Sequence, residues 1–117
     1  MNTSINLLPY ATLIVGAWNF INGILHDIFV LVQKRKYDRD LLRLLMDGHI
    51  LITCGIMQII AYVGLKEHAA WSFYVSGTAS LSMLVYCAMI FPFLKSIVTI
   101  LLNLALLLLL TGAFFKV

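Results

Sequence analysis

Charge is what this chain lacks most. Of its 117 residues, 11% are Asp, Glu, Lys or Arg, against about 25% in ordinary soluble domains. Cysteine is nearly missing too. Cys54 and Cys87 lie in apolar runs and make no CxxC pair, so neither a redox motif nor a zinc knuckle is readable. Free cysteines in such runs are ordinarily small packing residues. Proline occurs twice, as Pro9 and Pro92, which leaves the apolar runs almost unbroken. The N-terminus MNTSINLLPY has no basic stretch before its apolar run, so that run reads as a retained membrane helix and not as a signal peptide. There is no HExxH, no Gly-rich phosphate loop, no Ser-His-Asp set in nucleophile context and no CxxCH. The sequence-readable hydrolases, nucleotide binders and c-type haem proteins are thereby set aside. Internal repeats are missing as well; HD at 26–27 and DGH at 47–49 are too short a likeness to count.

What is present is apolar surface. The chain is 62% hydrophobic with a mean hydropathy of +1.01, more than a soluble core this small needs, so lipid is the expected solvent. A spanning helix takes about 20 apolar residues, and four runs qualify: 7–32, 41–65, 70–91 and 93–115. They are too long for barrel strands. The expected fold is all-α, an integral membrane four-helix bundle of one domain covering 1–117, up-down-up-down with short loops. Pro9 is expected near the start of the first helix, Gly64 at the end of the second, and Pro92 between the third and fourth. The leucine run at 106–110 reads as a wall facing lipid.

The net charge of +3 is unevenly placed. Lys34, Arg35, Lys36, Arg39 and Arg43 crowd the first loop and its flank, Lys95 follows the third helix, and only Lys66 and Lys116 fall on the other side. The positive-inside bias puts that loop in the cytoplasm and both termini on the non-cytoplasmic side of a multi-pass membrane protein. The basic residues are thus a topology signal and not a nucleic-acid surface.

Polar residues recur at helical spacing inside these runs. At about 100° per residue, the first helix aligns Thr12, Asn19, Asn22, His26 and Gln33, flanked by Gly16 and Gly23. The second aligns Asp47, Leu51, Cys54, Gln58 and Tyr62; the third Ser72, Ser76, Ala79, Met83 and Cys87; the fourth Ser96, Thr99 and Asn103. Four inward stripes predict a bundle with a polar interior. His26 and Asp47 are nearly equidistant from Tyr37, so a hairpin turning there predicts a His26–Asp47 contact, with Asn22 and Asn19 leading towards mid-membrane. Asp27 lies one step round from His26. His49 lies about 200° round from Asp47, which predicts that it faces the third or fourth helix, where Tyr86 and Ser96 lie.

Ionisable groups in membrane helices are costly and by default functional. His26, Asp47, Asn22, Asn19 and Gln58 are therefore the candidate ligand or proton site, with Asp27, His49 and Asn103 secondary. Amides also serve as plain interhelical glue, which is the blander reading of Asn19, Asn22 and Gln58. The small-residue face of the third helix reads as a close-packing surface and a candidate homodimer interface. His68, beside Glu67, reads as a solvated loop residue. Two histidines and two aspartates could hold a metal, and histidine also ligates haem, but the spacing assigns neither; metal, cofactor and catalytic residues are left unassigned.

In size and four-helix layout the chain resembles the DoxX-like membrane proteins and the small multidrug transporters. The latter carry an acidic residue at mid-membrane in the first helix; this chain has Asn19 and Asn22 there, with Asp27 nearer the cytoplasmic end. Three functions fit the sequence. The first is binding or transport of a small or lipophilic ligand linked to protons. The second is a membrane enzyme or redox protein using His26 or His49 on a quinone, sterol or lipid. The third is an accessory subunit of a larger complex. The partners expected are the bilayer, a lipophilic small molecule, and further copies or subunits in the membrane.

Overall fold

The computed structural model of this chain describes residues 2–33, 36–90 and 97–116. Lys34, Arg35, Pro92, Lys95 and Ser96, and the expectations attached to them, lie outside the described residues. Four helices make up the rest: α1 (Asn2–Val32), α2 (Arg39–Lys66), α3 (Ala70–Ile90) and α4 (Ile97–Lys116). Each contains a stretch long and apolar enough to cross a membrane. The helices contact one another in ring order, α1 on α2, α2 on α3, α3 on α4 and α4 back on α1.

The ends of the helices follow local chemistry. Asp38 caps α2, its Oδ1 accepting from the Leu41 N–H at 2.9 Å and satisfying one of the orphan donors of the first turn. Gly64 does not end α2, which runs on to Lys66. The stop is built two residues later: Ala69 N–H donates to the Gly64 carbonyl and His68 N–H to that of Leu65. That pairing is a Schellman motif, and it requires a left-handed residue just past the helix. His68 supplies it with φ 58°, so this exposed residue has a backbone task its sequence did not announce. Gly64 instead lets α3 approach, because a Cβ there would meet Trp71 and Ser72. Pro9 is not at the first turn either. The helix begins at Asn2, so Pro9 lies inside it, and its missing N–H leaves the carbonyl four residues earlier without its helical donor.

The α1–α2 seam is set by glycine. Gly16 and Gly23 on α1, and Gly48 and Gly55 on α2, are each spaced by about two helical turns. A Cβ on Gly23 would come 2.5 Å from the Gly48 carbonyl oxygen, and one on Gly55 2.7 Å from that of Gly16. Backbone thus packs on backbone, with residue numbers running in opposite directions along the seam.

Two apolar clusters fill the interior. One unites Leu8, Val15, Leu65, Leu106, Leu110 and Ala113 near the termini; the other unites Cys54, Ala79, Met83 and Cys87. The cysteines are free and buried, packing as small apolar groups. The leucine run is divided, not a uniform lipid-facing wall: Leu106 and Leu110, one turn apart, face the core, while Leu108 is 64% exposed. The small face of α3 is also turned inward. Ser72, Ser76 and Ala79 are fully buried within this one chain, so that face is not free to pair two copies. Meanwhile Ile14, Phe29 and Met89 are more than half exposed and three amides are sealed inside. That polarity is inverted relative to a protein folded in water.

Candidate functional site

The polar side chains fall into two layers. The first lies near the middle of the bundle and takes one residue from each helix: Asn19, Gln58, Ser80 and Asn103, all 0% exposed. Asn19 Nδ2 donates to Gln58 Oε1 at 2.7 Å and to Asn103 Oδ1 at 3.2 Å. Gln58 Nε2 donates to Ser80 Oγ at 2.9 Å and to Asn103 Oδ1 at 3.2 Å. Asn103 Nδ2 donates to Asn19 Oδ1 at 3.3 Å and to the Thr99 carbonyl at 2.9 Å. A primary amide has two N–H donors, so every donor of the three amides is engaged. Trp18 Nε1 donates to Thr99 Oγ1 at 3.1 Å, tying α1 to α4 beside the network. A closed set of this kind fixes the register of four helices and leaves no amide donor for a guest.

The second layer lies nearer the 32–39 end and contains His26 and Asp27 on α1, Asp47 and His49 on α2, and Tyr86 on α3. Here the arrangement differs from the sequence expectation. No ion pair joins His26 to Asp47 among the described residues. His26 Nε2 lies 2.9 Å from the Leu44 carbonyl oxygen. That carbonyl already accepts from Gly48 N–H within α2, and the bare Gly48 leaves its second lone pair open to a side chain from α1. Asp47 is turned to α3, where the Tyr86 hydroxyl is within its reach. His49 is exposed and, like Asp47, lies within electrostatic range of the Asp27 carboxylate. Asp47 thus reaches α3 where α1 was expected, and His49 is exposed where a place against α3 or α4 was expected. The reason is the glycine seam. Gly48 takes the position against α1, so Asp47 and His49, one residue either side, must diverge to opposite flanks.

Asp27 is the unusual member. Its Oδ1 occupies the space a Gly48 side chain would need. It is buried and has no hydrogen-bond partner. His26, His49 and Asp47 all lie within electrostatic range of it. Buried polar atoms are nearly always satisfied, and an exception in a native fold calls for an explanation. Among the described residues, no three of His, Cys, Asp and Glu converge as metal ligands.

Asn22 belongs to neither layer's bonding. It is half-buried, one turn from His26 on the same face, and both line a recess along α1. Gln33, at the end of the α1 stripe, is exposed. Sequence reasoning missed Ser80 and placed Asn103 as secondary, although both are central. The signal that finds them is one amide or hydroxyl per helix at matching depth, carried through all four helices. Comparison with protein-family models, curated proteins and solved structures finds no match to this chain.

Proposed function

We propose that this is a multi-pass membrane protein, arranged up-down-up-down with both termini non-cytoplasmic, that binds a small lipophilic ligand in its inner half and couples binding to protons. Division of labour supports the reading. The mid-membrane amides Asn19, Gln58 and Asn103 hold the bundle together, while the ionisable groups about two to three turns away are left under-bonded. The observation that carries it is Asp27 Oδ1, buried without a partner within electrostatic range of two imidazoles and a second carboxylate. Such a group in a spanning helix is costly and has a use beyond stability. His26, Asp27, Asp47 and His49, with Tyr86 against Asp47, form the proton-exchanging set; Asn22 and His26 face the ligand.

The test is extraction of the protein from its native membrane at about pH 8 and about pH 5.5, bracketing imidazole titration, followed by mass spectrometry of copurified small molecules. A lipophile retained at one pH, released at the other, and lost from Asp47→Asn and His26→Ala variants that still melt cooperatively is the expected result. Equal retention of the same molecules by wild type and both variants would contradict it.

A further inference from the structure

The recess on the inner half of α1 has a volume of about 610 Å³ and is lined by Asn22, Leu25, His26, Ile28, Phe29 and Val32. Its chemistry follows from one hydrogen bond. The partner of His26 Nε2 is a carbonyl oxygen, which has no proton to give, so Nε2 must carry the hydrogen. In the neutral ring Nδ1 is then a bare acceptor. Neither Nδ1 nor the Asn22 amide has a hydrogen-bond partner among the described residues, and neither is sealed from the surface. Residues four apart on a helix are neighbours, so Asn22 and His26 together are the polar members of an otherwise apolar lining. No charged side chain lines it among the described residues, since the Asp27 carboxylate is turned to Gly48 on the seam.

We propose that this recess binds a neutral lipophile through a single hydroxyl, the O–H donating to His26 Nδ1 and the oxygen accepting from the Asn22 amide. The ligand class is a phenol or alcohol with an apolar body. A carboxylate would bring a second acceptor to Nδ1, and a cation would find no anion on the wall. Protonation of His26 converts Nδ1 from acceptor to donor and removes the site for the hydroxyl proton, which supplies the proton linkage. The inference rests on the ligand-binding function proposed above.

The test uses the full chain, labelled with ¹⁵N-histidine, in phosphatidylcholine nanodiscs. It is titrated with 4-dodecylphenol and with three matched probes: dodecylbenzene, 4-dodecylbenzoate and 4-dodecylbenzylammonium. The His26 Nδ1 resonance, assigned by its loss in His26→Gln, is the readout. Dodecylphenol should shift it saturably and dodecylbenzene should not. Asn22→Leu, at a side chain without a partner, should weaken the effect about tenfold. Leu25→Trp, filling the recess from its exposed rim, should abolish it. No shift with dodecylphenol, or an equal shift with dodecylbenzene, overturns the proposal. Preference for the benzoate or the ammonium overturns the hydroxyl class and leaves ligand binding standing; binding by none of the four overturns both.

Discussion

Asn19, Gln58 and Asn103 act as one unit, because each amide satisfies the others. Gln58→Met preserves most of the volume but leaves an Asn19 donor unpaired in a sealed interior. It should destabilise the protein by about 1–2 kcal/mol, the unmet donor mattering more than the lost bond. Replacing all three amides with apolar residues should cost less than the sum of the single changes, since no amide is left unpaired and only the Ser80 hydroxyl loses its partner; reversible unfolding in mixed micelles measures both. At His68 the strain is in the backbone. A non-glycine residue in the left-handed region costs about 1 kcal/mol or more, part of which glycine's extra freedom in the unfolded chain offsets. His68→Gly should therefore raise stability by about 0.5 kcal/mol, and His68→Val should lower it. The same unfolding assay, showing the opposite order, would remove the capping role.

At the scale of helices, close approach is restricted to particular glycines. Gly23→Ala places a Cβ 2.5 Å from the Gly48 carbonyl oxygen, and backbone cannot swing aside as a side chain can. The α1–α2 pair must separate, at about 1–3 kcal/mol, and the His26 bond to Leu44 should loosen with it. Gly77→Ala and Gly112→Ala meet nothing within 4 Å and should be neutral or slightly stabilising through helix propensity. Melting of the three variants side by side decides whether the seam or glycine content as such is limiting. The four helices were legible because long apolar runs have few alternatives. The stripes were legible in part: Thr12, Asn19, Cys54, Gln58, Ser76 and Asn103 are buried, whereas Asn22, His26, Asp47 and Tyr62 are half-buried and Gln33 is exposed. What periodicity could not resolve was the rotation of α2. The face of α2 against α1 is formed by Gly48 and Gly55 and not by its polar residues, so Asp47 and His49 fall to the flanks.

Over the whole molecule, the longest dimension is 52 Å, beyond the roughly 40–45 Å of a bilayer with its headgroups. That length belongs to α1 and α2, of 31 and 28 residues; α3 and α4, of 21 and 20 residues, are about 30 Å long, the thickness of the hydrocarbon core alone. On the orientation proposed above, tags on either terminus should be cleaved by protease added outside intact cells, and protection of both would reverse that orientation. Two layers organise the proposal: a saturated amide network that holds the four helices together, and an under-bonded cluster nearer the 32–39 end to which we assign the function. The measurement that separates them most directly is the unfolding free energy of Asp27→Asn beside that of Gln58→Met, in the same micelles at neutral pH. Asp27 contributes no hydrogen bond among the described residues and buries an unpartnered oxygen, so Asp27→Asn should match or exceed wild type while Gln58→Met falls below it. If Asp27→Asn unfolds as easily as Gln58→Met, Asp27 is part of the scaffold, and the assignment of the inner cluster to function is contradicted.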